Sequence, residues 1–254
     1  MGIAAAAWMW LMVAVGSLAS RLCSSSPTIN NSSSSCLSWR LAVEANNARA
    51  WRTVPPTCHD YVGSYMTGGQ YQRDLDMVVQ QITAYITTEV QLSNNNNSAS
   101  LDAWILDVDD TCLSNVLYYR RKRFGCDPYD PTGFKSWAVK GASPAVPEIR
   151  TLFRKLVTAG FKVFLITGRD GDSLAHSTIQ NLHTQGYSGY QRLFMRNSSY
   201  KGQSAVAFKS EIRKQLVGEG YKIWGNVGDQ WSDLAGDCAG ERTFKIPNPM
   251  YFVP

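Results

Sequence analysis

Histidine is scarce in this sequence, and closely spaced cysteine pairs are absent. Only His59, His176 and His183 occur in 254 residues, and no two cysteines are spaced as C-x-x-C. Dinuclear metallohydrolases need several histidine ligands, and structural zinc sites need closely spaced cysteines. No histidine stands beside clustered arginines, as a phosphohistidine mechanism would require. Ser114 and Ser232 have no evident histidine partner, so triad chemistry is also disfavoured.

The sequence also has no apolar run long enough for a typical membrane span. The apolar run at the N-terminus is short for that role. It contains no Lys or Arg and ends in small residues, with "SLA" at residues 17–19. That small-x-small pattern precedes signal-peptidase cleavage sites. We therefore predict a signal peptide over residues 1–19 and entry into the secretory pathway, with an uncleaved signal anchor as the alternative. No stable membrane span is expected after cleavage.

The charge balance is only mildly basic. The net charge is +5, and the one tight basic cluster is "RRKR" at residues 120–123. Such a run usually forms a solvated face, and the alternative interpretation is a local positive field that attracts an anionic substrate. Nucleic acid is not an expected partner.

Secretion would change the interpretation of the six cysteines. An even number in an oxidising compartment suggests disulfides, although the pairing is not fixed by the count. Cys112 lies inside an acidic motif and is expected to be a buried free thiol. In a secreted chain, the sequons at Asn30, Asn31, Asn96 and Asn197 would be glycan acceptors.

The first hundred residues divide into two parts after the signal peptide. Residues 20–35 are rich in Ser and Asn, which predicts a disordered lead-in. Residues 36–100 predict an N-terminal helical segment with a short helix over "LSWRLAVEANNARAW" and a proline-marked turn at "TVPPTC". Apolar residues between 71 and 90 recur at steps of three and four, which indicates an amphipathic helix.

Beyond residue 100, short apolar runs alternate with helical segments. "AWILDV", "KVFLITG", "RLFMR" and "YKIWGNVG" each predict a strand, and "PAVPEIRTLFRKLVTAG" predicts a helix capped by Gly160. This alternation predicts an α/β core over residues 101–254, with a Rossmann-like parallel sheet and helices on both faces. Residues at about 113–147 are too irregular for a simple crossover. They predict a cap insertion at the mouth of the first strand.

Two carboxylates, Asp107 and Asp109, end the first predicted strand. With a period of two, both would leave the same side of the chain if the strand persists that far. Like charges in a cleft repel, and they are tolerated when a cation lies between them or one holds a proton. Both situations suit phosphoryl transfer, and hard oxygen ligands select Mg²⁺. The alternative is an acidic turn that caps the next helix.

The other strand ends carry complementary groups. Thr167 and Gly168 offer a hydroxyl and a backbone amide for a phosphate oxygen, and Asp229 and Asp233 are spaced for one metal. Lys209, near a helix start, could neutralise phosphate and carboxylate charge. Each residue alone has an ordinary interpretation as a turn residue, a cap or a solvated lysine. Their joint occurrence at strand ends, where ligands bind in parallel sheets, favours a site.

These motifs resemble those of the haloacid dehalogenase superfamily. "DVDDT", "LITGR", Lys209 and "GDQWSD" match its four motifs, and the match is closer to its plant acid phosphatase (class B) branch, which includes the vegetative storage proteins. "SWRLAVEANNARAW", "TVPPTC" and "RTFKIPNPMY" are similar to that branch. The resemblance covers about residues 36–254 and implies a haloacid dehalogenase-like fold with a small helical cap.

The resemblance implies a role for each motif residue. Asp107 would be the nucleophile that forms an aspartyl-phosphate. Asp109 would be the general acid and then the base for the hydrolytic water. Thr167 and Gly168 would hold the phosphoryl group, and Lys209 would stabilise its charge and that of the nucleophile.

The resemblance also implies Mg²⁺ as the cofactor. Asp107, the backbone carbonyl of Asp109 and Asp229 would ligate the cation. Asp233 would support the site directly or through water. Charge neutralisation by the metal and Lys209 would then account for much of the rate enhancement.

The implied function is that of a secreted acid phosphatase acting on small-molecule phosphate monoesters. Its location would be the extracellular space, the cell wall or the vacuole, and a homodimer is left open. The alternative is a vegetative-storage-type glycoprotein with weak or no phosphatase activity. Some of those proteins replace the nucleophile, whereas Asp107 is retained here. A phosphotransferase would use the same intermediate.

Two disulfides are considered against the family pattern. Cys126 and Cys238 do not match that pattern, and a bridge between them would join the cap to the last acidic loop. Cys36 and Cys58 would join the two ends of the N-terminal helical segment.

Overall fold

A computed structural model describes residues 31–90 and 101–254. The predicted signal peptide, most of the predicted lead-in, Asn30 and Asn96 lie outside these residues. The strands are β1 (Leu101–Leu106), β2 (Lys162–Asp170), β3 (Arg192–Arg196), β4 (Tyr221–Gly228) and β5 (Arg242–Lys245). The helices are α1 (Asn31–Glu44), α2 (His59–Thr67), α3 (Gln70–Tyr85), α4 (Val116–Arg121), α5 (Pro131–Ala138), α6 (Pro147–Thr158), α7 (Gly171–Thr184), α8 (Ala205–Gly218) and α9 (Trp231–Leu234).

The five strands form one parallel sheet in the order β3-β2-β1-β4-β5. The chain builds outward from β1 to β2 and β3, then returns to the other side of β1 for β4 and β5. The order therefore reverses between β1 and β4. In parallel sheets, ligands bind beyond the carboxyl ends of the strands at such a reversal.

Helices cover both faces of the sheet, because the side chains of β1 alternate between them. Ala103 and Ile105 pack in a cluster with Phe208 and Ile212 of α8. The intervening Trp104 belongs to the larger core, which includes buried residues of α2, α3 and α6. The predicted fold class, a Rossmann-like parallel sheet with helices on both faces, is confirmed.

The local signals placed α3 and α6 correctly, whereas the short helix predicted over residues 37–51 ends at Glu44. The predicted amphipathic helix is α3, which continues through a wider turn over Ile86–Val90. Helix α6 begins at Pro147, where the missing N–H costs nothing. It is followed by Gly160, whose φ of +88° is left-handed backbone that favours glycine.

The N-terminal helical segment is part of the main core. Leu75 and Ile82 of α3 are fully buried, and the hydroxyl of Tyr85 donates to the carbonyl of Trp224 at 3.3 Å. A disulfide joins Cys36 of α1 to Cys58, with their Cα atoms 5.4 Å apart. That predicted bridge is confirmed.

Two predictions about this framework need correction. Helix α1 begins at Asn31, so residues 31–35 of the predicted disordered lead-in are helical. This turn leads directly into Cys36, which is buried and held by its disulfide. Asn31, a predicted glycan acceptor, is therefore the first residue of a helix.

The predicted Cys126–Cys238 bridge is wrong, and both thiols are free. The buried Cys126 thiol contacts the carbonyl of Pro55 at 3.9 Å, on the side of the N-terminal segment. Cys238 lies in the loop after α9, which is tied to α8 by the bond from Arg213 Nε to the Asp237 carbonyl at 3.0 Å. The expected buried free thiol at Cys112 is confirmed.

No helix within residues 31–90 and 101–254 is long and apolar enough to cross a membrane.

Candidate active site

Three buried aspartates converge where the strand order reverses. Asp107 directly follows β1, Asp229 directly follows β4, and Asp233 lies in the short helix α9. One carboxylate oxygen of each lies within 4.8 Å of the others. The amide of Asp107 donates to the carbonyl of Val227 at 3.0 Å, which extends the β1–β4 pairing by one residue.

Asp233 reaches this cluster because α9 begins with reciprocal capping. The backbone amide of Gln230 donates to Asp233 Oδ2 at 2.9 Å, and the amide of Asp233 bonds the Gln230 carbonyl. The side-chain amide of Asn226 holds the Asp233 carbonyl at 2.9 Å. The spacing of four between Asp229 and Asp233 therefore brings both carboxylates to one place.

Lys209 lies between two of the three carboxylates. Its Nζ atom is 2.5 Å from Asp107 Oδ1 and 2.6 Å from Asp233 Oδ1. Burial alone would lower the pKa of Lys209, but the charges of Asp107 and Asp233 raise it above its usual value. The two carboxylates therefore favour the charged ammonium form of Lys209, which binds the nucleophile candidate.

Asp229 accepts three side-chain hydrogen bonds. Its Oδ2 atom accepts from Gln230 Nε2 at 2.8 Å and from Asn248 Nδ2 at 2.7 Å. Its Oδ1 atom accepts from the hydroxyl of Thr111 at 3.3 Å. Burial, and then the charge of Asp233, raise the pKa of Asp229 to about 6.

Asp109 turns away from this cluster, towards β2. Strand β1 ends at Leu106, so the alternation that would place Asp107 and Asp109 on one side does not continue. Arg169 binds both carboxylate oxygens of Asp109, with Nε 3.1 Å from each and Nη2 2.8 Å from Oδ1. Burial alone would raise the pKa of Asp109, but Arg169 and a hydrogen bond from Asn115 lower it.

The predicted phosphate-binding pair lies beside Asp109. The hydroxyl of Thr167 is fully buried and donates to Asp109 Oδ2 at 3.4 Å. The hydroxyl oxygen of Thr167 in turn accepts the backbone amide of Arg169 at 3.1 Å. Gly168 lines the open cleft.

Four further residues that sequence analysis did not select also shape the site: Asp110, Asn115, Arg169 and Tyr251. Asn115 donates its backbone amide to Asp110 Oδ1 at 2.8 Å and its side-chain amide to Asp109 Oδ1 at 2.8 Å. The hydroxyl of Tyr251 donates to Asp110 Oδ2 at 2.9 Å. Burial, and then the charge of Asp229, raise the pKa of Asp110 to about 8. Three of these residues stood in the quoted stretches: Asp110 in "DVDDT", Arg169 in "LITGR" and Tyr251 in "RTFKIPNPMY".

A cleft of about 550 Å³ opens above the acids. The insertion between β1 and β2 contributes Tyr129 and Phe134 to its wall, the N-terminal segment contributes Arg52, and the C-terminus contributes Tyr251 and Phe252. The basic cluster at residues 120–123 does not line this cleft.

The donor set fits a divalent cation of the magnesium type. The three carboxylates with Lys209 carry a formal charge of −2, and all four groups are buried. Burial raises the pKa of Asp107, Lys209 opposes that rise, and Asp233 adds to it. Hard carboxylate oxygens around an excess of buried negative charge are the ligands that such a cation prefers.

Asn197, another predicted glycan acceptor, is exposed in the turn after β3. Its side-chain oxygen accepts the amide of Ser199 at 3.0 Å.

The chain is similar to known proteins over most of its length. Residues 22–254 match the family model described as HAD superfamily, subfamily IIIB (acid phosphatase). The chain is 40% identical to acid phosphatase 1 of Solanum lycopersicum over 218 residues, which cover 86% of this chain and 83% of that protein. It is 39% identical to the stem 31 kDa glycoprotein of Glycine max, with 86% and 83% covered, and 38% identical to vegetative storage protein 2 of Arabidopsis thaliana, with 86% and 80% covered.

The fold has a counterpart among solved structures. The class C acid phosphatase of Bacillus anthracis superposes with a TM-score of 0.61 at 20% identity, over 75% of this chain and 83% of that one. This likeness supports the fold, and the sequence match supplies the family. The chain belongs to the haloacid dehalogenase superfamily, in its subfamily IIIB of acid phosphatases.

Proposed function

We propose that this protein hydrolyses phosphate monoesters through a covalent aspartyl-phosphate on Asp107, with Mg²⁺ as its cofactor. The observation that carries the proposal is the contact of 2.5 Å between Lys209 Nζ and Asp107 Oδ1 inside the carboxylate cluster. Within the described residues, no donor bonds Asp107 Oδ2, so that oxygen is free to attack phosphorus. An ammonium beside the nucleophile reduces the repulsion between two anions.

The first step forms the bond between Asp107 Oδ2 and phosphorus and breaks the bond between phosphorus and the ester oxygen. Asp109 in its protonated form would give its proton to the leaving oxygen, which departs as a neutral alcohol. In the second step a water oxygen attacks phosphorus, Asp109 takes one proton of that water, and the bond from phosphorus to Asp107 breaks. Inorganic phosphate leaves and both carboxyl groups return to their starting states.

Thr167, Gly168 and Lys209 are the proposed phosphate-binding groups. Lys209 is already charged, while the Thr167 hydroxyl bonds Asp109 and would turn towards the phosphoryl oxygens. Arg169 binds the acid and also lines the cleft, so an incoming phosphate would compete with Asp109 for it. That competition would release Asp109 for protonation.

The cation would be held by Asp107, Asp229 and Asp233, with the backbone carbonyl of Asp109. When bound, it supplies positive charge that stabilises the negative charge of the phosphoryl group.

We also propose how the protein is targeted and modified, and what its insertion does. We infer a signal peptide over residues 1–19, and a location in the extracellular space, the cell wall or the vacuole. The Cys36–Cys58 disulfide supports an oxidising compartment, and the exposed Asn197 and the glycoprotein relatives of Glycine max support glycosylation. The insertion at about residues 113–147 is proposed to close over the substrate as a cap. Homodimer formation stays a prediction.

The test is phosphate release from an aryl phosphate by the mature chain, with and without Mg²⁺, from acid to neutral pH. The matched variant is Asp107→Asn, which keeps the size of the side chain. We expect metal-dependent turnover that falls at least about 10³-fold in the variant. Activity that survives Asp107→Asn would refute the nucleophile, and full activity after exhaustive chelation would refute the metal.

Two alternatives have their own outcomes in the same assay. A folded, metal-loaded protein without turnover would favour the storage glycoprotein, an alternative suggested by the relative named vegetative storage protein 2. Transfer of phosphate to an added alcohol in preference to water would favour a phosphotransferase.

A further inference from the structure

The C-terminal segment, residues 246–253, crosses the edge of the sheet at which the acids lie. The amide of Ile246 donates to the carbonyl of Gly228 at 3.0 Å, which carries the chain directly past Asp229. Further along, the carbonyl of Tyr251 accepts from Gln230 Nε2 at 3.3 Å. The amide of Val253 donates to Gln230 Oε1 at 3.0 Å. This segment is therefore bonded to the residue that follows Asp229.

Asn248 is the member of this segment that contacts a catalytic candidate. It is buried, and its Nδ2 atom donates to Asp229 Oδ2 at 2.7 Å. Its Oδ1 atom accepts the amide of Met250 at 2.9 Å. Because only the oxygen of the side-chain amide can accept, the Met250 amide fixes the orientation of that group. The nitrogen must then face Asp229.

Glu44, the last residue of α1, holds Asn248 from the other side. Its Oε1 atom accepts the backbone amide of Asn248 at 2.9 Å, and its Oε2 atom accepts Lys245 Nζ at 2.7 Å. Its backbone carbonyl accepts Trp231 Nε1 at 3.1 Å. One residue of the N-terminal helix therefore bonds both the C-terminal segment and α9.

These contacts leave one oxygen of Asp229 for another ligand. Two amide donors, Gln230 and Asn248, occupy Oδ2, whereas Oδ1 accepts only the longer bond from the Thr111 hydroxyl among the described residues. Carboxylate ligands of metals are commonly fixed in this way by hydrogen bonds to the oxygen that does not bind the ion.

We propose that Asn248 is a positioning residue that orients Asp229 for a divalent cation, and that Glu44 acts through Asn248. The N-terminal helix would thereby set the geometry of a metal ligand from outside the α/β core. This inference rests on the proposed function only in taking Asp229 as a ligand.

The test measures cation binding directly, with Mn²⁺ as the probe. Free Mn²⁺ gives an electron paramagnetic resonance signal that decreases on binding, so no substrate or turnover is needed. In Asn248→Ala we expect Mn²⁺ affinity to fall by about 10- to 100-fold, the usual cost of losing such a partner. In Glu44→Gln, one acceptor oxygen replaces two, and we expect a smaller decrease in Mn²⁺ affinity than in Asn248→Ala.

Asn181→Ala is the matched control. Asn181 is also buried, and its Nδ2 atom donates to the carbonyl of Ser143 at 2.8 Å, with no contact to the acid cluster. We expect it to lower the melting temperature as Asn248→Ala does but to leave Mn²⁺ affinity unchanged. The double variant Glu44→Gln/Asn248→Ala should bind Mn²⁺ no more weakly than Asn248→Ala alone, because the two residues act in series.

Unchanged Mn²⁺ affinity in Asn248→Ala would overturn the inference, whatever its melting temperature. Should that variant not fold, unchanged affinity in Glu44→Gln would overturn the part assigned to α1. These outcomes are separate from failure of the proposed function. A wild-type protein that binds Mn²⁺ without hydrolysing phosphate esters would refute the function and leave the inference intact.

Discussion

Arg169 binds Asp109 through two nitrogens, with Nη2 2.8 Å from Oδ1 and Nε 3.1 Å from Oδ2. The guanidinium is itself fixed, because Nη1 donates to the hydroxyl of Thr178 on α7 at 3.2 Å. A two-nitrogen contact of this kind is the strongest geometry for an arginine and a carboxylate. It holds the proposed general acid in its charged form before substrate arrives.

Removing the charge of Arg169 should move the pH profile. In Arg169→Met, burial of Asp109 remains while the ion pair is lost, so the pKa of Asp109 should rise. Hydrolysis needs the protonated acid, so kcat/KM falls as pH rises through this pKa, and the alkaline limb should shift to higher pH. The measurement is kcat/KM for an aryl phosphate against pH.

Arg169→Lys is the control for this shift. The lysine keeps the charge but loses the two-nitrogen geometry, so its alkaline limb should stay nearer that of the wild type. An identical limb in Arg169→Met and wild type would contradict the assignment of Asp109 as the acid.

The stability of the metal-free protein should fall as pH rises. Burial raises the pKa of Asp229 to about 6 and that of Asp110 to about 8, both above the unfolded value near 4. Between those values the folded state holds protons that the unfolded state has released, so the free energy of unfolding decreases with pH. The melting temperature of the chelated protein should therefore decrease from about pH 5 to about pH 8.

Asp110→Asn isolates one contribution to that slope. It removes a carboxyl that contributes to the decline from the unfolded value near 4 up to about pH 8, so the decline should be shallower over that whole interval, most clearly above about pH 6, where Asp229 is already ionised. Saturating Mg²⁺ should also oppose the decline, because a cation stabilises the ionised carboxylates. A chelated protein that becomes more stable towards pH 8 would contradict the raised pKa values of these two buried carboxyl groups.

Lys209 lies within helix α8, and the family resemblance assigned it to the site. The meeting of Asp107 with Asp229 and Asp233 could be predicted from strand ends. Parallel strands end at a common edge, so residues that directly follow apolar runs meet whatever the loop details are. Asp109 was less predictable. Its direction depends on where β1 stops, and strand ends are among the least certain features of a sequence.

The supporting residues could not be derived from strand patterns. Asn248 and Tyr251 lie in an irregular segment that runs over the site after β5. Strand β5 itself, with four residues, carries little periodic signal. Glu44 acts through the packing of an N-terminal helix that is distant in the sequence. Such contacts depend on tertiary structure, which periodicity does not encode.

Lys209→Met should show how much the ammonium charge beside Asp107 contributes, because it removes that charge and keeps a side chain of similar size. Methionine fills a similar volume but leaves Asp107 and Asp233 without their ammonium. We expect kcat to fall by about 10² to 10³, the range found on removing one preorganised electrostatic group. The melting temperature of the metal-free variant should also be lower than that of the wild type, because two buried carboxylates have lost their positive partner.

Lys209→Arg is the comparison, since it keeps the charge in a larger group. It should retain more of the metal-free stability than Lys209→Met. Equal kcat in Lys209→Met and the wild type would contradict the role given to this ammonium.

The Cys36–Cys58 disulfide should stabilise the fold by limiting the unfolded chain. The two cysteines are 22 residues apart, and a closed loop of that length is worth about 3 kcal/mol in the chain-entropy account. The double variant Cys36→Ser/Cys58→Ser should therefore have a free energy of unfolding lower by that amount, measured by denaturant titration. Dithiothreitol should destabilise the wild type to a similar extent and should leave the double variant unaffected.

The control is Cys126→Ser, whose thiol is free, and which should still respond to dithiothreitol as the wild type does. Destabilisation of the double variant by dithiothreitol would contradict a single structural disulfide and would direct attention to Cys23, which lies outside the described residues.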